Sequence, residues 1–135
     1  MNLRIGSLEI TAALAAVAVL AARPSLRGAV EIGSLSPMQL ELEIIERRAR
    51  RPAHGRAPFY VGRAKDAAVS LSDPEVSRRH ARFSSHDGVV YVEDCRSRNG
   101  TFLNGRRISD AIEVRQGDEI DVGTTRLVVT SVRPA

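Results

Sequence analysis

From Met38 onward the chain alternates between apolar and polar positions. MQLELEI (38–44) is apolar at every second residue, the period of a strand with one buried face. Short apolar runs then recur at close spacing: PFYVGR (58–63), AVSL (68–71), HARFSS (80–85), GVVYVEDC (88–95), TFL (101–103), AIEVR (111–115), DEIDVG (118–123) and RLVVTSV (126–132). Between them stand turn formers: Asp73-Pro74, Asp87-Gly88, Asn99-Gly100, Asn104-Gly105 and Gln116-Gly117-Asp118. No stretch after Ser36 has a convincing helical period. Many short strands separated by regular turns predict an all-β fold, an antiparallel β-sandwich, preceded by a short N-terminal apolar helix. RRARRPAHGRAP (47–58) reads as a loop, because Pro52, Gly55 and Pro58 interrupt it.

The N-terminal part has a different pattern. Residues 10–22 are an uncharged run of 13, and extension back to Ile5 gives 18 residues but takes in Glu9. A spanning helix needs about 20 mostly apolar residues. Residues 5–22 therefore fit three readings: a single-pass membrane anchor, a helix packed on protein, or a signal peptide. As an anchor, Arg23 and Arg27 against Arg4 would leave the C-terminal side cytoplasmic. Residues 23–37, with Pro24, Gly28, Gly33 and Pro37, read as a linker. The expected organisation is an apolar segment and linker over 1–37 and a folded domain over 38–135, long enough to bury one core.

Composition narrows the function classes. The net charge is +4, and Lys65 is the only lysine among 20 basic residues. Residues 36–58 carry five arginines against three glutamates, whereas residues 59–135 carry twelve basic against eleven acidic groups. The folded part is nearly neutral, which weakens a nucleic-acid reading, and its five aromatics fall in strands or turns rather than on a stacking platform. The Arg cluster of 47–58 reads as a solvated face, with anionic lipid as a lesser reading. Lone Cys95 excludes an internal disulfide and reads as a small buried hydrophobe. His54, His80 and His86 share no metal spacing with it, and no cofactor motif is present. Ser77 and His80, three apart on a strand, would point to opposite faces, so no nucleophile and base are expected. Asp118, Glu119 and Asp121 read as a solvated face, and Arg106-Arg107 as a hairpin surface pair.

The candidate chemistry lies in loops. SRNGTFLNG (97–105) holds two Asn-Gly pairs, the signal of type I′ turns, around Thr101-Phe102-Leu103. Upstream stand Gly62-Arg63 and Ser77-Arg78-Arg79-His80. A phosphate ester carries nearly two charges and three acceptor oxygens, and gripping it takes a guanidinium fork with hydroxyl and amide donors. Arg63, Ser77, Arg78 and Asn99 supply that set.

Gly62-Arg63, Ser77-x-x-His80, Asn99-Gly100-Thr101 and Asn104-Gly105, in this order on a β-rich background, resemble the forkhead-associated (FHA) domain over about Met38–Val132. The resemblance implies a sandwich of about eleven strands that binds phosphothreonine peptides and is not an enzyme. It implies Arg63 and Ser77 as the main phosphate ligands, Arg78 as a further phosphate contact, and Asn99 on the peptide main chain. Arg98 stands where many relatives have a phosphate-touching Thr. Gly62, His80, Gly100, Thr101, Asn104 and Gly105 fall to loop structure. Glu75 lies where relatives tune selectivity after the phosphothreonine, which implies a preference against acidic residues there. The implied partner is a protein phosphorylated by a Ser/Thr kinase, recruited in signalling, with no metal and no cofactor. The alternative is a phospho-independent scaffold that uses a sheet face. Some FHA proteins bind their own phosphorylated tail. Residues 1–58 hold a single threonine, Thr11, inside the apolar run, so recognition in trans is expected.

Overall fold

The computed structural model describes residues 37–135, and the expectations for residues 5–22, the linker and Thr11 lie outside the described residues. Eleven strands form two sheets. They are β1 (Met38–Glu46), β2 (Ala49–Arg56), β3 (Phe59–Gly62), β4 (Val69–Ser70), β5 (Ala81–His86) and β6 (Val89–Asp94), then β7 (Thr101–Leu103), β8 (Arg106–Arg107), β9 (Ile112–Val114), β10 (Glu119–Val122) and β11 (Thr125–Pro134). One sheet runs β2-β1-β11-β10-β7-β8 and the other β4-β3-β5-β6-β9. All pairs are antiparallel except β3 with β4. The predicted all-β sandwich is the observed one. Among the described residues no helix is long and apolar enough to cross a membrane.

The alternation in β1 buries Met38, Leu40, Leu42 and Ile44 against the facing sheet. Leu127 and Val129 of β11 and Ile120 and Val122 of β10 extend that layer. Phe59 and Phe83 stack across β3 and β5 with centroids 4.9 Å apart, and Phe83 is fully buried.

One element differs from the expectation. Residues 49–56 are not loop but β2, an edge strand paired only with β1, with Pro52 opposite Glu43. An edge strand hydrogen-bonds on one side only, so proline is tolerated there. Its exposure on nearly every residue removed the alternation that marks the other strands. Arg106-Arg107 are the hairpin surface pair expected, exposed on β8, a two-residue edge strand on β7.

The register gathers functional loops at one end. β3 ends where β5 begins and β6 ends, with the N–H of Cys95 donating to the His80 carbonyl at 2.9 Å. In the other sheet β10 ends and β7 and β11 begin at that same end, where Val122 faces Thr101 and Thr125.

Candidate functional site

The centre of this end is the loop 71–80, which is held on both sides. Asp73 anchors its start. One carboxylate oxygen accepts the Glu75 N–H at 2.9 Å. The other accepts the Thr124 N–H at 2.8 Å and the hydroxyls of Thr124 and Thr125 at 2.7 and 2.9 Å. Burial by itself pushes the Asp73 carboxyl up, but hydrogen bonds from Thr124, Glu75 and Thr125 overturn this and hold it below its ordinary value. A charged carboxylate thus joins the two sheets beneath the loop.

His80 anchors the end of the loop. Its Nδ1 accepts the Ser77 N–H at 3.0 Å and its Nε2 faces the Gly100 carbonyl at 2.8 Å. A backbone N–H only donates and a carbonyl only accepts, so Nδ1 serves as acceptor and Nε2 as donor. His80 is fully buried, and its main chain bonds to Val61 and Cys95. Ser77 and His80 precede β5 rather than lying on it, which corrects the premise that both sit on a strand. Their contact runs through the Ser77 backbone, not its hydroxyl, so they are no nucleophile and base.

Arg63 leaves β3 against this loop. Its N–H donates to the Ser77 carbonyl at 3.0 Å and its Nε to the Val76 carbonyl at 3.1 Å. The terminal guanidinium nitrogens have no acceptor among the described residues, and the side chain is exposed. Gly62 makes this approach feasible, since a β-carbon there would stand 2.0 Å from the Arg78 carbonyl oxygen. Only glycine fits.

The 95–100 loop closes the rim. Ser97 is tied to Asp94 through its N–H and its hydroxyl, and its Oγ accepts the Gly100 N–H at 2.9 Å. Thr101, fully buried, donates its hydroxyl to the same Asp94 at 2.8 Å. Burial raises the Asp94 carboxyl, and the donors from Ser97 and Thr101 more than reverse it, leaving it below its ordinary value. The Arg98 N–H donates to Ser77 Oγ at 3.0 Å, so Ser77 keeps its own hydroxyl proton free to donate outward. The Arg98 side chain is exposed, as is Arg78. Asn99 Nδ2 donates to the Glu75 carbonyl at 2.8 Å and to its carboxylate at 3.1 Å. This fixes the amide and leaves Oδ1 outward as an acceptor.

The two Asn-Gly pairs prove unlike. Asn104 and Gly105 both have positive φ, 50° and 84°, as a type I′ hairpin between β7 and β8 requires. Of the first pair only Gly100 is left-handed, at 87°, so that pair is not a type I′ turn. Asn104 also bridges to Asp118 at 3.0 Å and to the Glu119 N–H at 2.9 Å.

Two further expectations change. Asp118 is buried rather than on a solvated face, and it accepts from Asn104 and from the Arg115 N–H. Cys95 is half-buried, and burial together with Glu93 and Asp94 pushes its thiol up. Among the described residues no group of His, Cys, Asp and Glu is arranged to hold a metal ion.

The structure thus brings Arg63, Ser77, Arg78, Arg98 and Asn99 to one rim, with Gly62, His80, Gly100 and Thr101 beneath it; Asn104 and Gly105 lie at the far end of β7. Not read from sequence were the Asp73 and Asp94 anchors and the Glu75 hold on Asn99. The spacing of Asp94 and Ser97, an acceptor three residues before a hydroxyl, is the signal that was available for one of them.

Comparison with known proteins agrees with this architecture. Residues 59–123 match the family model of the FHA domain, which runs from β3 to the turn after β10. Over 80 residues the chain is 39% identical to the FHA domain-containing protein FhaB of Mycolicibacterium smegmatis, a match covering 59% of this chain and 50% of FhaB. It is 42% identical over 67 residues to the glycogen accumulation regulator GarA of the same organism, covering 50% of this chain and 42% of GarA. The match thus spans about half the length of these relatives. A structure solved in a study of phosphothreonine-dependent FHA domain interactions superposes with a TM-score of 0.60 at 28% identity, covering 70% of this chain and 96% of that one. The β-sandwich of this chain is an FHA domain.

Proposed function

We propose that this FHA domain binds phosphothreonine peptides and recruits a protein phosphorylated by a Ser/Thr kinase, acting as a binding module in signalling. One observation carries the reading: a single loop, clamped by Asp73 and His80, presents the Ser77 hydroxyl beside the unpaired end of the Arg63 guanidinium. In this reading Arg63 forks onto two phosphate oxygens and Ser77 donates to the third. Arg78 and Arg98 add charge from either side, and Asn99 Oδ1 accepts from the peptide main chain. Glu75 next to Asn99 disfavours an acidic residue following the phosphothreonine. Nothing in this constellation is a reacting group. The study of phosphothreonine-dependent interactions to which one solved neighbour belongs supports the same chemistry.

Titration of the full chain with a phosphothreonine peptide library, its unphosphorylated twin and an Arg63→Ala control tests it. Selective binding of the phosphorylated set, lost in the variant, is expected. Equal binding of both sets, or an unaffected variant, overturns the reading and favours a phospho-independent scaffold.

A further inference from the structure

We propose that the flank of the sandwich between β8 and β9 is a second contact surface for the same partner. It would take an acidic and apolar segment running on from the phosphothreonine, and so rests on the reading above. The two flanks are unlike. On one, Arg51 of β2 reaches the Ser70 carbonyl of β4 at 2.8 Å and ties the sheets together. On the other, β8 ends one sheet, β9 ends the other, and a groove of about 420 Å³ stays open between them.

The floor of this groove is apolar. Leu103 belongs to the core, and half-buried Ile108 and Ile112 pack against it. Arg106 and Arg107 stand on its lip, both exposed. Asp110 is the only acidic residue among the described residues lining the groove, and it has a partner of its own.

Three features select the occupant. Apolar floor contributes to binding only when apolar side chains cover it. Two exposed guanidinium groups against a single carboxylate favour carboxylates and oppose basic segments. Arg107 also links the groove to the rim loop, because a β-carbon at Gly100 would stand 2.8 Å from its Nε. A chain held by Asn99 that leaves the rim over Gly100 meets Arg107 next, and then the floor.

The test uses the full chain and three kinds of phosphothreonine peptide. One is short, one carries an extension of Leu, Ile, Asp and Glu at either end in turn, and one carries a Gly/Ser extension of equal length. The acidic-apolar extension at one end is expected to tighten binding about five- to tenfold, and the Gly/Ser extension not at all. Arg106→Glu should remove the gain, and replacing the acids of the extension by Lys should restore it in that variant. A gain below twofold at both ends, or one that survives Arg106→Glu, overturns the proposal while leaving phosphate recognition intact. If the short peptide binds without regard to phosphate, the unphosphorylated extension alone is titrated by NMR. Shifts of the Leu103, Ile108 and Ile112 methyl groups then support the groove, and their absence overturns it.

Discussion

Glu75 holds Asn99 twice, through its backbone carbonyl at 2.8 Å and through its carboxylate at 3.1 Å. Both hydrogens of the Asn99 amide are thereby taken up by Glu75 on the rim, and its oxygen is left for a ligand. The residue expected to tune selectivity also sets the orientation of the residue expected to grip the main chain.

Removing the Glu75 carboxylate should therefore have two separable effects. Glu75→Ala keeps the carbonyl contact and loses one exposed charge-assisted bond, so phosphopeptide affinity should fall about two- to tenfold. At the same time, peptides with an acidic residue after the phosphothreonine should gain relative to neutral ones. Calorimetric titration of both peptide types reads the two effects, and an unchanged ranking of the peptides would refute the selectivity role.

His80 bears on stability more than on binding. His80→Ala leaves the Ser77 N–H and the Gly100 carbonyl without partners and opens a cavity in a fully buried position. Each orphaned group costs about 1–3 kcal/mol, so a total of roughly 3–5 kcal/mol is expected, a large share of what a small domain has. The urea midpoint should drop steeply. A variant of near-native stability would mean that the loop does not depend on this bridge.

Asp73 supplies a pH dependence with a definite sign. Its carboxyl is held below the ordinary value of 3.8, so the folded state favours the charged form. The stability it contributes is fully present above that value and is lost as pH falls through the lower folded-state value. Asp73→Asn should therefore be destabilised by a constant amount, about 2–4 kcal/mol, from pH 7 down to about 5. The gap between variant and parent should narrow below pH 4. Urea unfolding at pH 7, 5 and 3 checks this, and a gap that does not change across the series would show that the clamp is not ionic.

Sequence reading succeeded where the physics is local. Strands with one face in the core alternate, and Asp87-Gly88 and Asn104-Gly105 carry their own turn chemistry, each residue at positive φ. β2 escaped because an edge strand with Pro52 and Gly55, exposed nearly throughout, has neither alternation nor a full set of backbone partners. At the site, Arg63, Ser77 and Asn99 were legible because glycine, serine and asparagine in turns announce themselves. The bonds that aim them were not. Asn99 meets Glu75 across 24 residues and Asp73 meets Thr124 across 51, and no local pattern encodes such pairs.

Arg63→Lys separates charge from geometry. Arginine spends Nε on the Val76 carbonyl and keeps two coplanar nitrogens for a ligand, a fork that matches two phosphate oxygens. Lysine keeps the charge as a single point and cannot serve both partners. The variant should lose about one charge-assisted bond, roughly 1.5–3 kcal/mol or about ten- to a hundredfold in affinity for the phosphopeptide. Arg63→Ala removes two or more such bonds and should lose at least about a hundredfold. Weak binding of the unphosphorylated twin should change in neither variant, since the lost contacts are to phosphate. Side-by-side titration of parent, Arg63→Lys and Arg63→Ala reads the order. If lysine matched arginine, recognition would rest on charge alone, and the fork geometry set by Val76 would have no part in it.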